Sequence, residues 1–166
     1  MENKKIASLE RFVYNKKRTN VLFLMSVKGG NFMDLKIINT IRTNNFNDER
    51  MMEKISDMWK SASANLNEIK HEGSIYGLYY EYESDFKGDY TLSVAIDGDD
   101  GFSITIPDET KYKVFTVNKD SSQGVFNTWN EIWKLEKDGN LNRTYTYDYE
   151  KYYIDGGIEI FIAVSG

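Results

Sequence analysis

Cysteine is absent from this chain of 166 residues and histidine occurs once. The first absence excludes disulfides, thiolate nucleophiles, zinc fingers and iron–sulfur ligation, and fits a reducing, cytoplasmic setting. The second leaves no basis for a histidine-built metal site, so no cofactor is expected. His71 sits in Lys70-His71-Glu72-Gly73, which reads as an exposed loop, and no Ser-His-Asp arrangement can be assembled around it. Long apolar runs are missing too. The segment Val21 to Val27 is too short to span a bilayer and has no small-residue cleavage site, so neither a membrane span nor a signal peptide is expected. Positive charge is scarce over most of the chain. Residues 1–32 hold seven basic side chains against Glu2 and Glu10, a net of +5, so residues 33–166 carry −10 within the chain's total of −5. An acidic body argues against a nucleic-acid surface and favours cationic ligands or partners, while also serving solubility.

Aromatic residues are plentiful, with twelve Tyr, nine Phe and three Trp. They recur in a pattern that suggests duplication. Tyr80-Glu81-Tyr82-Glu83 is echoed by Tyr147-Asp148-Tyr149-Glu150, and each follows a predicted helix with a Trp-Lys pair, Trp59-Lys60 and Trp133-Lys134. A duplicated unit has a pseudo-twofold seam, and a seam lined with rings and a carboxylate is a natural place for a small molecule.

The element order supports two units. Leu35 to Thr43 reads as a strand, ended by Asn44, Asn45 and Asn47; Met51, Ile55, Met58, Trp59, Ala62 and Leu66 recur at helical spacing. Ile75 to Glu83 and Tyr90 to Ile96 then read as paired strands around a turn at Phe86-Lys87-Gly88-Asp89. The second unit begins at Ile104 and continues through a strand at Tyr112 to Val117. Its helix runs from Gly124 to Glu136, capped by Ser121 or Ser122 and stopped at Gly139, and strands follow at Arg143 to Tyr152 and Ile158 to Val164. The expected fold is α+β: duplicated β-α-β-β modules, an antiparallel sheet with two helices on one side, and a ligand cleft at the pseudo-twofold seam. Asp97-Gly98-Asp99-Asp100-Gly101 lacks the spaced glutamate of a calcium loop and reads as a hairpin turn.

Two domains of unequal kind are expected, an N-terminal extension at 1–32 and the folded body at 33–166. Lys28-Gly29-Gly30 can be encoded by a purine run that matches a ribosome-binding sequence ahead of Met33, which makes residues 1–32 an upstream-start or cloning leader. The alternative is a genuine extension with a helix at Ile6 to Tyr14 and a strand at Val21 to Val27.

Alternation along Arg143 to Tyr152 sets Tyr145, Tyr147 and Tyr149 on one face and Asp148, Glu150 and Tyr152 on the other. Three rings in a row bury well, so the tyrosine face is expected to meet the helices and Glu150 to point away, toward the concave side. In the first half Tyr79 groups with Glu81 and Glu83. A solvent-facing strand residue is the plain alternative for either glutamate.

Ile106-Pro107, Tyr112-x-Val114-Phe115, Trp129-(x)3-Trp133, Tyr149-Glu150-x-Tyr152 and Ile158-Glu159-Ile160-Phe161-Ile162 together resemble the effector-binding domain of bacterial transcription activators, including GyrI-like proteins and the ligand domains of the Rob and BmrR type. Tyr79-Tyr80-Glu81-Tyr82-Glu83-Ser84-Asp85 with Gly88-Asp89-Tyr90-Thr91 is similar to stand-alone integron-associated drug-binding proteins of that group. The resemblance implies a cleft in which a carboxylate and aromatic walls receive organic cations or other lipophilic molecules. The binding glutamate falls on Glu150, with Tyr152, Tyr79 and Phe161 as walls, Trp129 and Trp133 divided between wall and core, and Glu83 as the first-half counterpart. Thirty-two leading residues cannot hold a helix-turn-helix domain with its own core, so direct DNA binding is not expected; a stand-alone sensor, or the partner of a separate regulator protein, is. Two other readings stay open: a GyrI-like hydrolase using Glu150 with Tyr152 or Glu83, and a protein-interaction modulator.

Overall fold

The computed structural model describes residues 32–98 and 103–166. The readings of residues 1–31 and of Asp99, Asp100 and Gly101 lie outside the described residues. The elements are β1 (Met33–Thr43), α1 (Met51–Glu68), β2 (Ile75–Tyr80), β3 (Tyr90–Asp97), β4 (Ile104–Ile106), β5 (Tyr112–Thr116), α2 (Gly124–Lys137), β6 (Asp148–Tyr152) and β7 (Ile158–Ala163). All seven strands join one antiparallel sheet in the order β4-β1-β3-β2-β6-β7-β5. Outward from the centre this reads β2, β3, β1 on one side and β6, β7, β5 on the other. Each half is therefore a β-α-β-β module, and the short β4 is a connecting segment that pairs back onto β1 at Leu35 and Ile104.

Each helix covers its own half of one sheet face. Met58, Ala62 and Leu66, four residues apart, form the buried stripe of α1 and pack on Tyr90, Leu92, Val94 and Ile96, the alternate residues of β3. Trp129 and Ile132 of α2 do the same against Phe115, Ile160 and Ile162. The opposite face is covered by the curl of the sheet itself, and its core gathers residues from all seven strands, among them Leu35, Leu78, Ala95, Ile106 and Tyr149 with Tyr112 and Phe161. The curl is tight. Tyr112 on β5 reaches Tyr149 two strands away, with ring centroids 5.2 Å apart.

Local structure departs from the sequence expectation where a side chain redirects the backbone. β2 ends at Tyr80 rather than Glu83, because Glu81 takes a left-handed conformation (φ 52°) and its carbonyl is held by Arg42 Nη1 at 2.7 Å. β6 begins at Asp148 rather than Arg143. Tyr145 is also left-handed (φ 53°), which breaks the alternation and leaves Arg143 in an isolated bridge with Val164, just past the end of β7. The α2 terminus lies at Gly139 (φ 73°) as expected, but Ser121 donates no cap to the helix: its Oγ accepts the N–H of Gln123.

Candidate functional site

The two modules meet where β2 pairs with β6, and Gly77 there is the register partner of Glu150. A local twofold through that pair carries Tyr79 onto Tyr152. The helices follow the same symmetry: Trp59 of α1 packs edge-on against Tyr152 with centroids 5.3 Å apart, and Trp129 of α2 packs edge-on against Tyr79 at 5.1 Å. The counterpart of Trp59 in contact is thus Trp129 and not Trp133, because the connection after α2 is ten residues long and that after α1 six. The same register corrects the pairing of the two acidic signatures. Gly77, not Glu83, stands opposite Glu150.

Glu150 faces the helices, contrary to the expectation that it points away from them. Its side chain is enclosed, with the residue 4% exposed. Oε1 accepts the indole N–H of Trp129 at 2.7 Å and the hydroxyl of Tyr79 at 2.8 Å, and Oε2 accepts the hydroxyl of Tyr152 at 2.6 Å. All three donors are neutral. Among the described residues Glu150 has no ion-pair partner. Gly77 makes this possible, since a Cβ there would lie 3.2 Å from Oε2 and 3.3 Å from Trp59 Cζ2, tighter than ordinary contact. A glycine inside a strand is the sequence signal of such a close approach, and it was legible at Ile75-Tyr76-Gly77-Leu78.

A second buried carboxylate lies two residues earlier on the same strand face and is handled in the opposite way. Asp148, fully buried, accepts Arg143 Nη2 at 2.7 Å, the Tyr82 hydroxyl at 2.6 Å and the backbone N–H of Ala163 at 2.7 Å. The Arg143 side chain is 2% exposed. Its guanidinium stands over the Tyr145 ring at 4.4 Å and near Trp129 and Tyr82 at 5.8 and 5.9 Å, while Glu136 bonds both Arg143 and the Tyr145 hydroxyl. The protein therefore already seats one delocalised cation between a carboxylate and rings.

The remaining sequence candidates are dispersed. Trp133 packs beside Trp129 in the α2 core, with centroids 6.1 Å apart. Phe161 lies on the other sheet face, stacked on Tyr149 at 4.5 Å, and the Tyr145, Tyr147, Tyr149 face does not meet the helices as a unit. Glu83 is exposed in the β2–β3 connection, where Oε2 accepts the N–H of Asp89. Trp59 and Gly77 were not among the sequence candidates for the site.

Burial of Tyr79, and next the adjacent Glu150 charge, hold its phenol well above the ordinary tyrosine range; burial and Glu150 do the same at Tyr152, and burial and Asp148 at Tyr82. These hydroxyls stay protonated donors at neutral pH. An unfolded tyrosine loses its proton near pH 10, whereas these three keep theirs beyond it. Their contribution to stability is therefore complete below about pH 10 and is lost above it, by about 1.4 kcal/mol per pH unit for each tyrosine whose ionisation is suppressed. Urea unfolding at pH 8, 10 and 11 should show this fall. A flat profile through pH 11 would remove the buried phenol network from the account.

No helix among the described residues is long and apolar enough to cross a membrane. Residues 35–164 match the family described as integron-associated effector binding protein, Cass2. The chain is 35% identical over 115 residues to the candidate transcriptional regulator protein YobU of Bacillus subtilis (strain 168), a match that covers 63% of this chain and 70% of YobU. Among solved structures it is similar to the integron cassette protein VCH_CASS2 from the mobile metagenome of Vibrio cholerae, with a TM-score of 0.67 and 29% identity over 81% of this chain and 92% of that one. The family match covers nearly the whole described body, and the chain belongs to the integron-associated effector binding protein family.

Proposed function

We propose that this protein is an effector-binding protein that takes lipophilic or aromatic cations over the β2–β6 seam, between α1 and α2, with Glu150 as the anchoring charge. The observation that supports it most is the contrast between two buried carboxylates on one strand face. Asp148 has a guanidinium, whereas Glu150 has only neutral donors and a ring on every side that carries one: Tyr79, Trp129, Tyr152 and, beyond it, Trp59. A charge withdrawn from water without a counterion is an expense the fold would shed unless it served an occupant. Each ring face adds about 0.5–2 kcal/mol toward a bound cation, so a few of them with apolar burial reach micromolar affinity, about −8 kcal/mol. The acidic body draws cations toward the site. The kinship with YobU, itself described as a candidate transcriptional regulator, supports a regulatory role for the bound ligand, and a cytoplasmic sensor working with a regulator protein is the role we infer.

Tryptophan fluorescence offers the test, because Trp59 and Trp129 flank the site. N-methylquinolinium and quinoline are close in shape, and only the first is charged at neutral pH. Saturable quenching by the cation, with quinoline at least about tenfold weaker, is expected from a carboxylate partly withdrawn from water. Equal quenching by the two would reject the cation site.

A further inference from the structure

We infer, resting on the cation-site reading above, that the site selects cations by how few N–H donors they carry, and prefers nitrogen that is fully alkylated. A carboxylate offers about four lone-pair positions. At Glu150 three are taken by the protein: Trp129 Nε1 and the Tyr79 hydroxyl fill Oε1, and the Tyr152 hydroxyl takes half of Oε2. The remaining position on Oε2 lies beside Gly77, where a Cβ would already stand 3.2 Å from Oε2 and 3.3 Å from Trp59 Cζ2, so little space is left for a further donor.

None of the three donors has reason to leave. The Trp129 indole is donor-only and buried, so losing Glu150 would strand its N–H. Tyr79 and Tyr152 keep their protons because burial and Glu150 oppose ionisation. Glu150 thus presents charge with almost no free acceptor capacity. A primary ammonium brings three N–H donors, finds at most one lone pair, and leaves the others facing rings. A quaternary or N-alkylated aromatic nitrogen brings none, and the rings accept its diffuse charge without directional bonds. The neighbouring Asp148 shows the alternative design, in which a carboxylate takes a guanidinium N–H directly at 2.7 Å.

Three ligands that share a naphthylmethyl group decide the matter by calorimetry on the full chain: trimethyl(naphthylmethyl)ammonium, naphthylmethylammonium and naphthylmethanol. The expected order is quaternary over primary by about tenfold or more, with the primary amine no better than a few-fold above the alcohol. Added methyl groups alone could favour the quaternary compound, so the same series is run on Tyr152→Phe. That variant frees a lone pair on Oε2 while keeping the ring, and the quaternary-to-primary ratio should fall several-fold. A ratio unchanged in the variant, or a primary amine that binds wild type as well as the quaternary compound does, overturns the inference. If both cations bind well above the alcohol in that event, the cation site stands without the selection. If neither exceeds the alcohol, the cation site itself fails.

Discussion

Asp148→Ala is expected to destabilise the fold by about 3–5 kcal/mol, the largest single effect in the described body. The residue has no exposure, and its removal strands the Arg143 guanidinium, which is 2% exposed, together with the Tyr82 hydroxyl and the Ala163 N–H. Glu136 at 3.4 Å is too loose a partner to compensate. Arg143→Met is expected to be severe for the reciprocal reason, since it leaves Asp148 buried and uncompensated. The double variant should recover part of the loss, because two charges that have left together leave no orphan, and the coupling measured by urea unfolding of the four proteins should reach about 1–3 kcal/mol. A single-variant loss under about 1 kcal/mol would mean that Asp148 is better solvated than its burial implies.

Neither the orientation of Glu150 nor the start of β6 was legible in the sequence, and both failures have the same cause. Alternation reports a strand's inner face only when one face is wet. Here the helices bury one face and the curl of the sheet buries the other, so Tyr149 and Glu150 are both enclosed, and three tyrosines in a row pointed to the wrong layer. The pattern from Arg143 to Tyr149 then continues through a residue that is not in a strand at all. Tyr145 is left-handed in the segment between Arg143 and Asp148, which bond to each other, and no local pattern announces the burial of Asp148. Phe161 was misplaced by the same parity, since its register partner is Tyr149 and not Glu150. What was legible rests on one-sided elements. The stripe Met58, Ala62, Leu66 marks α1, and the repeated β-α-β-β order yields the symmetric sheet. The Gly77 signal lay in plain view but carries meaning only once Glu150 is known to face it.

The second large effect concerns binding. Glu150→Gln keeps the side-chain shape and most of its hydrogen bonds: the amide oxygen can still take Trp129 and Tyr79, and the Tyr152 hydroxyl can rotate to accept from the amide N–H instead of donating. Stability should therefore change by no more than about 1.5 kcal/mol. The charge is gone, however, and with it the term that distinguishes a cation from a neutral ligand of the same shape. A loss of about 1.4–2.8 kcal/mol, ten- to a hundredfold, is expected for a cation beside a carboxylate withdrawn from water. A solvated surface pair would contribute under about 1 kcal/mol and fade with salt.

Isothermal calorimetry of N-methylquinolinium against wild type and Glu150→Gln, each at low and high ionic strength, tests the central claim most directly. The variant is expected to bind at least about tenfold more weakly, with the deficit persisting in high salt and quinoline binding alike to both proteins. Equal cation affinity in the two proteins would contradict it and remove Glu150 as the anchor.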